Sequence, residues 1–394
     1  MPSDSRRALI VGAGLGGLAA GIALRAAGYD VQVFEQAADP RELGFALLLA
    51  PNAMWALAAL GVADEVRARG MLITAGEIRR PNGAVLRRLD AAPVASALGQ
   101  DSVCVLRPVL HGILMERLGT SALQLGARIT GFHSDDAGVT LERDGAPSAR
   151  GALLVGADGV GSVIRRALHP EEPAARRAGL VAVRGVARDA AQHMGGLSGM
   201  QYLGRGLEAG ASRASPGDVY WFVCMVSREP PPEDADPRSL IDRHLSAFHA
   251  PFRALVGATP EADMRIDDLR RRDPLSTWGQ GPVTLLGDAA HPMLPHAGQG
   301  AAQALEDAVL LGHALQASAP VAANLRRYEA TRVDRTRAIV ELSRRNARMC
   351  SLQGPLACWL RDALVQLVPE RSLLKSLIAI GRPPELRALP AGAG

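Results

Sequence analysis

Gly12-Ala13-Gly14-Leu15-Gly16-Gly17 is the stretch that decides the fold. It follows a short apolar run, 8–11, and opens an Ala- and Leu-rich segment, 15–27, that Gly28 closes as a C-terminal helix cap. A chain with this order turns sharply from a buried strand into a helix. Gly12 makes the turn, Gly14 lets the backbone approach a pyrophosphate, and Gly17 lets helix pack closely on strand. The helix then offers unpaired N–H groups and the positive end of its dipole to phosphate charge. The following segment, 29–35, alternates with Val31 and Val33 to one side and ends on Glu35-Gln36. A carboxylate at Glu35 suits ribose hydroxyls and repels a 2′-phosphate, so the expected adenosine is not that of NADP. Alone, such a pattern also describes a packing turn with no ligand.

Two further glycine-centred motifs follow in the chain. Gly156-Ala157-Asp158-Gly159-Val160-Gly161-Ser162-Val163-Ile164-Arg165 comes after a strand at 152–155. There Asp158 and Arg165 are suited to orient each other and a diphosphate; a loop salt bridge is the plainer reading. Gly287-Asp288-Ala289-Ala290-His291 follows a strand at 284–286 and leads to Pro295 and Gly298-Gln299-Gly300, ahead of a helix starting at Ala301. Asp288 lies where parallel sheets bind ligands, with a carboxylate suited to ribityl hydroxyls. The helix start behind Gly300 stabilises negative charge on a reduced ring. Together the three motifs describe a grip on both ends of one long dinucleotide, and FAD is the expected ligand.

The 394 residues, 48% hydrophobic and 21% charged, are those of an ordinary globular protein. Only Lys375 among the 44 basic residues is a lysine, and no dense basic block with interleaved aromatics occurs, so the net charge of +4 argues for no nucleic-acid partner. The four cysteines, Cys104, Cys224, Cys350 and Cys358, have neither zinc nor disulfide spacing and read as buried thiols. With no unbroken apolar run of spanning length, a cytoplasmic protein without a membrane span is expected. Strand and helix patterning predicts an α/β chain. Its Rossmann-like FAD-binding domain, 1–165 and 279–345, is interrupted by a mostly antiparallel β-sheet substrate domain, 166–278. Part of 70–100 is a candidate to join that sheet, and 346–394 forms a helical C-terminal segment and a tail.

With these residues in place, the chain resembles the class A, single-component FAD-dependent aromatic hydroxylases, flavoprotein monooxygenases of the salicylate-hydroxylase-like branch and the p-hydroxybenzoate-hydroxylase-like fold. The resemblance spans residues 8–346 and includes Pro51-Asn52, Arg184-Gly185, Tyr220-Trp221-Phe222 and Tyr328-Glu329 with Arg332 and Arg335. It implies non-covalent FAD, held by residues 12–17 (Gly12, Ala13, Gly14, Leu15, Gly16 and Gly17). It places Glu35 and Gln36 at the adenosine, Arg41 and Arg107 near the diphosphate or flavin, and Asp288 on the ribityl chain. Gly298, Gln299, Gly300 and Ala301 border the pyrimidine edge of the flavin, beside Pro295. Asp158 serves FAD and the NAD(P)H reaction, since no second dinucleotide fingerprint exists. The implied activity is NAD(P)H- and O2-dependent hydroxylation of a phenolic or other electron-rich small molecule through a flavin C4a-hydroperoxide. One departure stands out: Gly44-Phe45-Ala46-Leu47 replaces the family's Gly-x-Gly-Ile, adding a Cβ at Ala46.

Three residues are candidates for the substrate chemistry. Tyr202 would orient or ionise a phenol, or else is a core tyrosine. His296 would face the substrate, or else is a surface loop histidine. Arg213, with Arg184, would bind a carboxylate or enolate, or else is solvated. Alternation lets only one of Tyr220 and Trp221 line the pocket. The apolar segment 356–380 is expected to pack on the FAD domain or at a homodimer contact rather than on a membrane. A reductase or dehydrogenase without oxygen insertion is the main alternative. A halogenase lacks its Trp-x-Trp-x-Ile-Pro motif here, and a nucleotide carrier would not need the 288–300 loop.

Overall fold

The computed structural model describes residues 6–39, 45–135, 138–145 and 147–383. Arg7–Val11, the apolar run ahead of the first glycines, is the centre of a five-stranded parallel sheet ordered Val283–Leu285, Leu153–Gly156, Arg7–Val11, Asp30–Phe34, Leu123–Gln124. All three glycine motifs therefore leave the same end of adjacent strands, since Val11, Gly156 and Leu285 are neighbours in register. Helices Leu15–Ala26 and Gly300–Ala314 pack together over this sheet. Their small residues allow the contact: a Cβ on Gly312 would lie 2.7 Å from that of Ala23.

The second layer is a seven-stranded sheet ordered Met264–Arg271, Arg176–Ala187, Val219–Val226, Leu207–Arg213, Gly199–Leu203, Ala75–Arg79, Val85–Asp90. Its last two strands come from the 70–100 stretch. Strand alternation gives it two unlike faces. Val183, Tyr202, Ala209, Trp221 and Val223 pack under helices Pro237–Leu245 and Ala250–Gly257. Ala182, Cys224 and Phe222 on the other face pack against Leu294 and Ala347, and Tyr220 joins Ala46 and Cys104. The 30-residue helix Val321–Cys350 ties the layers together, with Arg332, Thr336, Val340, Ser343 and Ala347 as a buried stripe along it.

From Gly300 onward the described chain is helical, with breaks after Ala314, after Cys350 and after Leu367. Of the segment expected to pack on the FAD domain, helix Pro355–Leu367 packs on strand Val85–Asp90, while Glu370–Gly381 packs on helix Ala92–Leu98 and its Ile380 carbonyl accepts from Arg335 at 3.3 Å. Most of the tail, 384–394, lies outside the described residues. No described helix is long and apolar enough to cross a membrane.

Candidate functional site

The first motif has the shape its glycines require. Gly12 sits at φ +102°, and a Cβ there would lie 2.4 Å from the Ala157 carbonyl oxygen; one on Gly17 would lie 1.9 Å from the Gly12 oxygen. Gly14 is different: a Cβ there would meet nothing within 4 Å, so the backbone borders open space. No side chain caps helix Leu15–Ala26, leaving its first N–H groups for a ligand. Ala13 N and Ala37 N both donate to the Glu35 carboxylate at 2.9 Å, fixing it at the strand end with Gln36 exposed beside it. Leu15 is buried, and Gly16 abuts Leu286 and Ala304, so this turn and the third motif are packed as one unit. His111, which sequence reasoning missed, donates to the Ala13 carbonyl at 2.8 Å from helix Arg107–Leu118. Its only signal was a polar residue on that helix's apolar face. Arg41 lies outside the described residues.

The second motif is built differently from the expected acid–arginine pair. Asp158 Oδ2 accepts from Val163 N at 2.7 Å and Ile164 N at 3.4 Å, while its Oδ1 is buried with no partner. Burial raises the Asp158 pKa, and the hydrogen bonds from Ser162 and Val163 only partly offset it. Arg165 turns away to grip Glu172 (2.7 and 2.6 Å) and the carbonyls of Ala289 and Ala290 (both 2.9 Å). Its guanidinium thus clamps the third motif onto the second instead of facing a diphosphate.

In the third motif, Asp288 opens to the groove at the sheet's end, yet protein surrounds it closely. That burial raises its pKa, opposed by His291 and Arg107. Arg107 starts the neighbouring helix, its N–H donating to the Phe45 carbonyl. Pro295 and Gly298 are exposed, and Gly298 holds φ +61° with open space where a Cβ would be. Gln299 is the buried anchor of this loop: its Oε1 accepts from Asn52 at 2.8 Å, and no side chain caps the helix that begins at Gly300 and Ala301.

Under the loop lies an ion network. Arg332 bonds Asp307 and Glu306 at 2.6 Å each, Arg335 bonds Glu306 at 2.7 Å, and His291 Nε2 donates to Asp307 at 2.6 Å. Burial alone would raise Asp307, but His291 and Arg332 outweigh it and hold its pKa at about 2. Glu306 is likewise pulled below the usual carboxylate range by Arg332 and Arg335 against its burial. Glu306 and Asp307 are therefore structural ions rather than partners of the helix dipole. An open backbone cradle at Gly14, two uncapped helix starts, an unpartnered Asp158 oxygen and an Asp288 carboxylate all lie at one end of the parallel sheet, a set of groups that fits FAD.

The substrate candidates separate by strand parity. Tyr202 is fully buried on the helix-covered face, its hydroxyl 2.6 Å from His249 Nε2 and its ring among Phe248 and Phe252. It is the core tyrosine, not a residue of the groove side. Arg213 follows the same parity as Ala209 and Ala211 and donates to the Pro216 carbonyl at 3.1 Å, so it too is absent from the groove side. His296 does reach the groove-side face, but its imidazole is 2% exposed, wedged 3.7 Å from Cys224 Sγ and 3.6 Å from Glu208. Burial and Arg184 lower its pKa against the pull of Glu208, which keeps the ring neutral behind the wall.

The groove-side aromatics are instead Tyr220, partly exposed and stacked on Phe222 at 6.2 Å, with the buried Phe45 6.5 Å from Tyr220 and the Arg184 guanidinium, paired with Asp267 at 3.2 Å, lying 5.6 Å over Phe45. Burial pushes the Tyr220 hydroxyl up to about 12, so it stays protonated. Glu208, buried and accepting from Gln201 at 2.6 Å, was missed; strand parity with Gly210 and Ser212 was the available signal. The methyl of Ala46 packs with Cys104 and Ala214 between the layers. Among the described residues no cluster of His, Cys, Asp and Glu is arranged to hold a metal.

A family described as FAD binding domain matches residues 6–343. The chain is 34% identical to the aurachin C monooxygenase/isomerase of Stigmatella aurantiaca over 91% of its own length and 94% of that protein. It is 33% identical to 2-heptyl-3-hydroxy-4(1H)-quinolone synthase of Pseudomonas aeruginosa over 92% and 94% of the two chains. The crystal structure of Klebsiella pneumoniae HpxO complexed with FAD and uric acid superposes with a TM-score of 0.90 at 28% identity, covering 95% of this chain and 96% of that one.

Proposed function

Because the chain belongs to the FAD binding domain family and is an FAD-dependent monooxygenase, we propose that it uses NADH or NADPH and O2 to hydroxylate a bicyclic nitrogen heteroaromatic of the quinolone type. Two relatives above 30% identity over nine-tenths of the chain are named for aurachin C and for an alkylquinolone. The observation that carries the reading is the wall of Phe45, Tyr220 and Phe222 with Arg184 at its edge. The stacked Tyr220–Phe222 pair, with Phe45 tilted against it, suits a fused aromatic, and a guanidinium suits an enolate-like oxygen.

When bound, FAD supplies the redox chemistry, accepting electrons from the nicotinamide and activating O2. Glu35 would hold the adenosine ribose, Asp288 the ribityl chain, and the Gly298–Ala301 backbone the flavin ring. Arg107 would approach the diphosphate, and Asp158, bonded to Val163 N, would steady the turn beside which the nicotinamide reacts. On the substrate side, the protonated Tyr220 hydroxyl donates to the ring oxygen. Arg184 favours the ionised form of the substrate, which makes its ring carbon more nucleophilic. His296 and Glu208 support the wall from behind, as positioning residues.

The test is incubation of the flavin-loaded enzyme with a 2-alkyl-4-quinolone and each reduced nicotinamide, following O2 uptake and product mass. Coupled consumption with a product heavier by one oxygen atom supports the proposal. Reductant oxidation that yields only hydrogen peroxide with every nitrogen heteroaromatic tried overturns the substrate class. For the cofactor roles, Asp288→Ala should lose most of its flavin on gel filtration while staying folded, and full flavin loading would remove Asp288 from the ribityl assignment.

A further inference from the structure

Helix Pro355–Leu367 is amphipathic with its sides reversed. Leu356 is 68% exposed, Trp359 60%, Leu360 54%, Leu364 56% and Leu367 78%. Their spacing puts all five on one stripe. Its charged residues point inward: Arg361 donates to the carbonyls of Gly204 (2.8 Å) and Leu203 (3.2 Å) and pairs with Asp362 at 2.9 Å, and Arg80 bonds Asp362 at 2.7 Å. Burying a charged pair while a tryptophan and four leucines face water is unfavourable on both counts. A stripe of this kind on a soluble surface marks a contact.

We propose that this stripe docks on an anionic lipid surface, the helix lying in the interface plane. Its surroundings carry the matching charge. Exposed Arg205 donates to the Gln353 carbonyl at the helix start, Arg87 to the Val365 and Val368 carbonyls at its end, and Arg371 and Lys375 are exposed on the next helix. Arg80 is itself 43% exposed. The exposed acids nearby are Glu370 and Asp90, because Asp362 is occupied inward. A two-fold contact between copies sets the same patch against itself, so these cations would meet cations. An anionic bilayer faces them with opposite charge, while the leucines and Trp359 enter the acyl boundary. At 13 residues the helix lies on a membrane rather than crossing it.

The placement connects to substrate access. Leu203 and Gly204, whose carbonyls Arg361 holds, follow Gln201 on the strand whose groove side supports the candidate pocket. A lipophilic aromatic dissolved in the bilayer would arrive at this rim. That last step rests on the proposed substrate class, whereas the docking does not.

The test is co-flotation of the flavin-loaded full chain with vesicles of phosphatidylglycerol and phosphatidylcholine in equal parts, and with phosphatidylcholine alone. Trp359 is the reporter, since Trp221 and Trp278 are buried and Trp55 donates to the Leu98 carbonyl. Flotation with anionic vesicles, about tenfold weaker on neutral ones and weakened by salt, with a blue shift of emission, is expected. The double variant Leu360→Glu, Leu364→Glu should float at least about tenfold less with flavin content unchanged. Absence of flotation overturns the proposal. So does a dimer in sedimentation that the same variant splits while vesicles leave the parent protein untouched, which would assign the stripe to a second copy. Because flotation reads no turnover, its failure leaves the substrate assignment standing.

Discussion

The two faces of the seven-stranded sheet use the same device for opposite ends. On the helix-covered face Trp221 lies over Gly185, directly across the ladder, and a Cβ on that glycine would come within 2.7 Å of the indole. On the groove side Phe222 lies over Gly210 in the same way, with a Cβ contact of 2.5 Å. One aromatic is sealed under two helices; the other stays half-exposed beside Tyr220 and Arg184. The first face is fixed by apolar packing, while the groove side packs Ala182 and Cys224 on Leu294 and Ala347 and also buries Glu208 beside His296. A residue's parity along the strand, more than its chemical type, decides whether it can touch substrate.

The sharpest way to break this contrast is Trp221→Ala. It removes a fully buried ring and its hydrogen bond to Thr259 at 2.8 Å, and should cost about 3–5 kcal/mol in denaturant unfolding. Flavin retained per folded molecule should not change. A parallel loss of flavin affinity would mean that the two faces are coupled. Next comes acid. Asp307 has its folded pKa depressed to about 2 from an ordinary 3.8. Its stabilisation is complete above the ordinary value and disappears as the pH falls through the folded one, a term on the order of 2 kcal/mol. Melting temperature measured from pH 5 downward should therefore fall between about pH 4 and pH 2. Asp307→Asn should flatten that limb while lowering stability at neutral pH.

Much of the groove was legible because its constraints are local. A turn that only glycine at 12 can make, and an acid at the next strand's end, are written within 30 residues of each other. FAD and the parallel sheet followed from such signals. What failed needed long-range partners. Arg165 appeared beside Asp158 in sequence but bonds Glu172 and the 289–290 carbonyls. Tyr202 and Arg213 had plausible chemistry, yet their side of the sheet depends on which neighbours cover it. The reversed helix at 355–367 was unreadable for the same reason: its pattern is amphipathic in either orientation, and only the Leu203 and Gly204 carbonyls show which side is held.

Two tyrosine substitutions sharpen the comparison at smaller scale. Tyr220→Phe removes a protonated hydroxyl from the open wall, so kcat/KM for the accepted heteroaromatic should fall about tenfold with stability nearly unchanged. An unaltered pH–rate profile and rate would place the substrate elsewhere. Tyr202→Phe deletes the same atom on the sealed face. There the hydroxyl serves His249 at 2.6 Å and Met200 at 3.3 Å, and burial and the neighbouring Arg79 and Arg253 already keep His249 below its ordinary pKa. Loss of that bond leaves a neutral imidazole short of one partner, not an uncompensated charge, and the expected cost is about 1 kcal/mol. Turnover and flavin content should stay at parent values. A tenfold loss of turnover in Tyr202→Phe, with stability intact, would show that the sheet transmits a change on its covered face to the wall it presents to substrate.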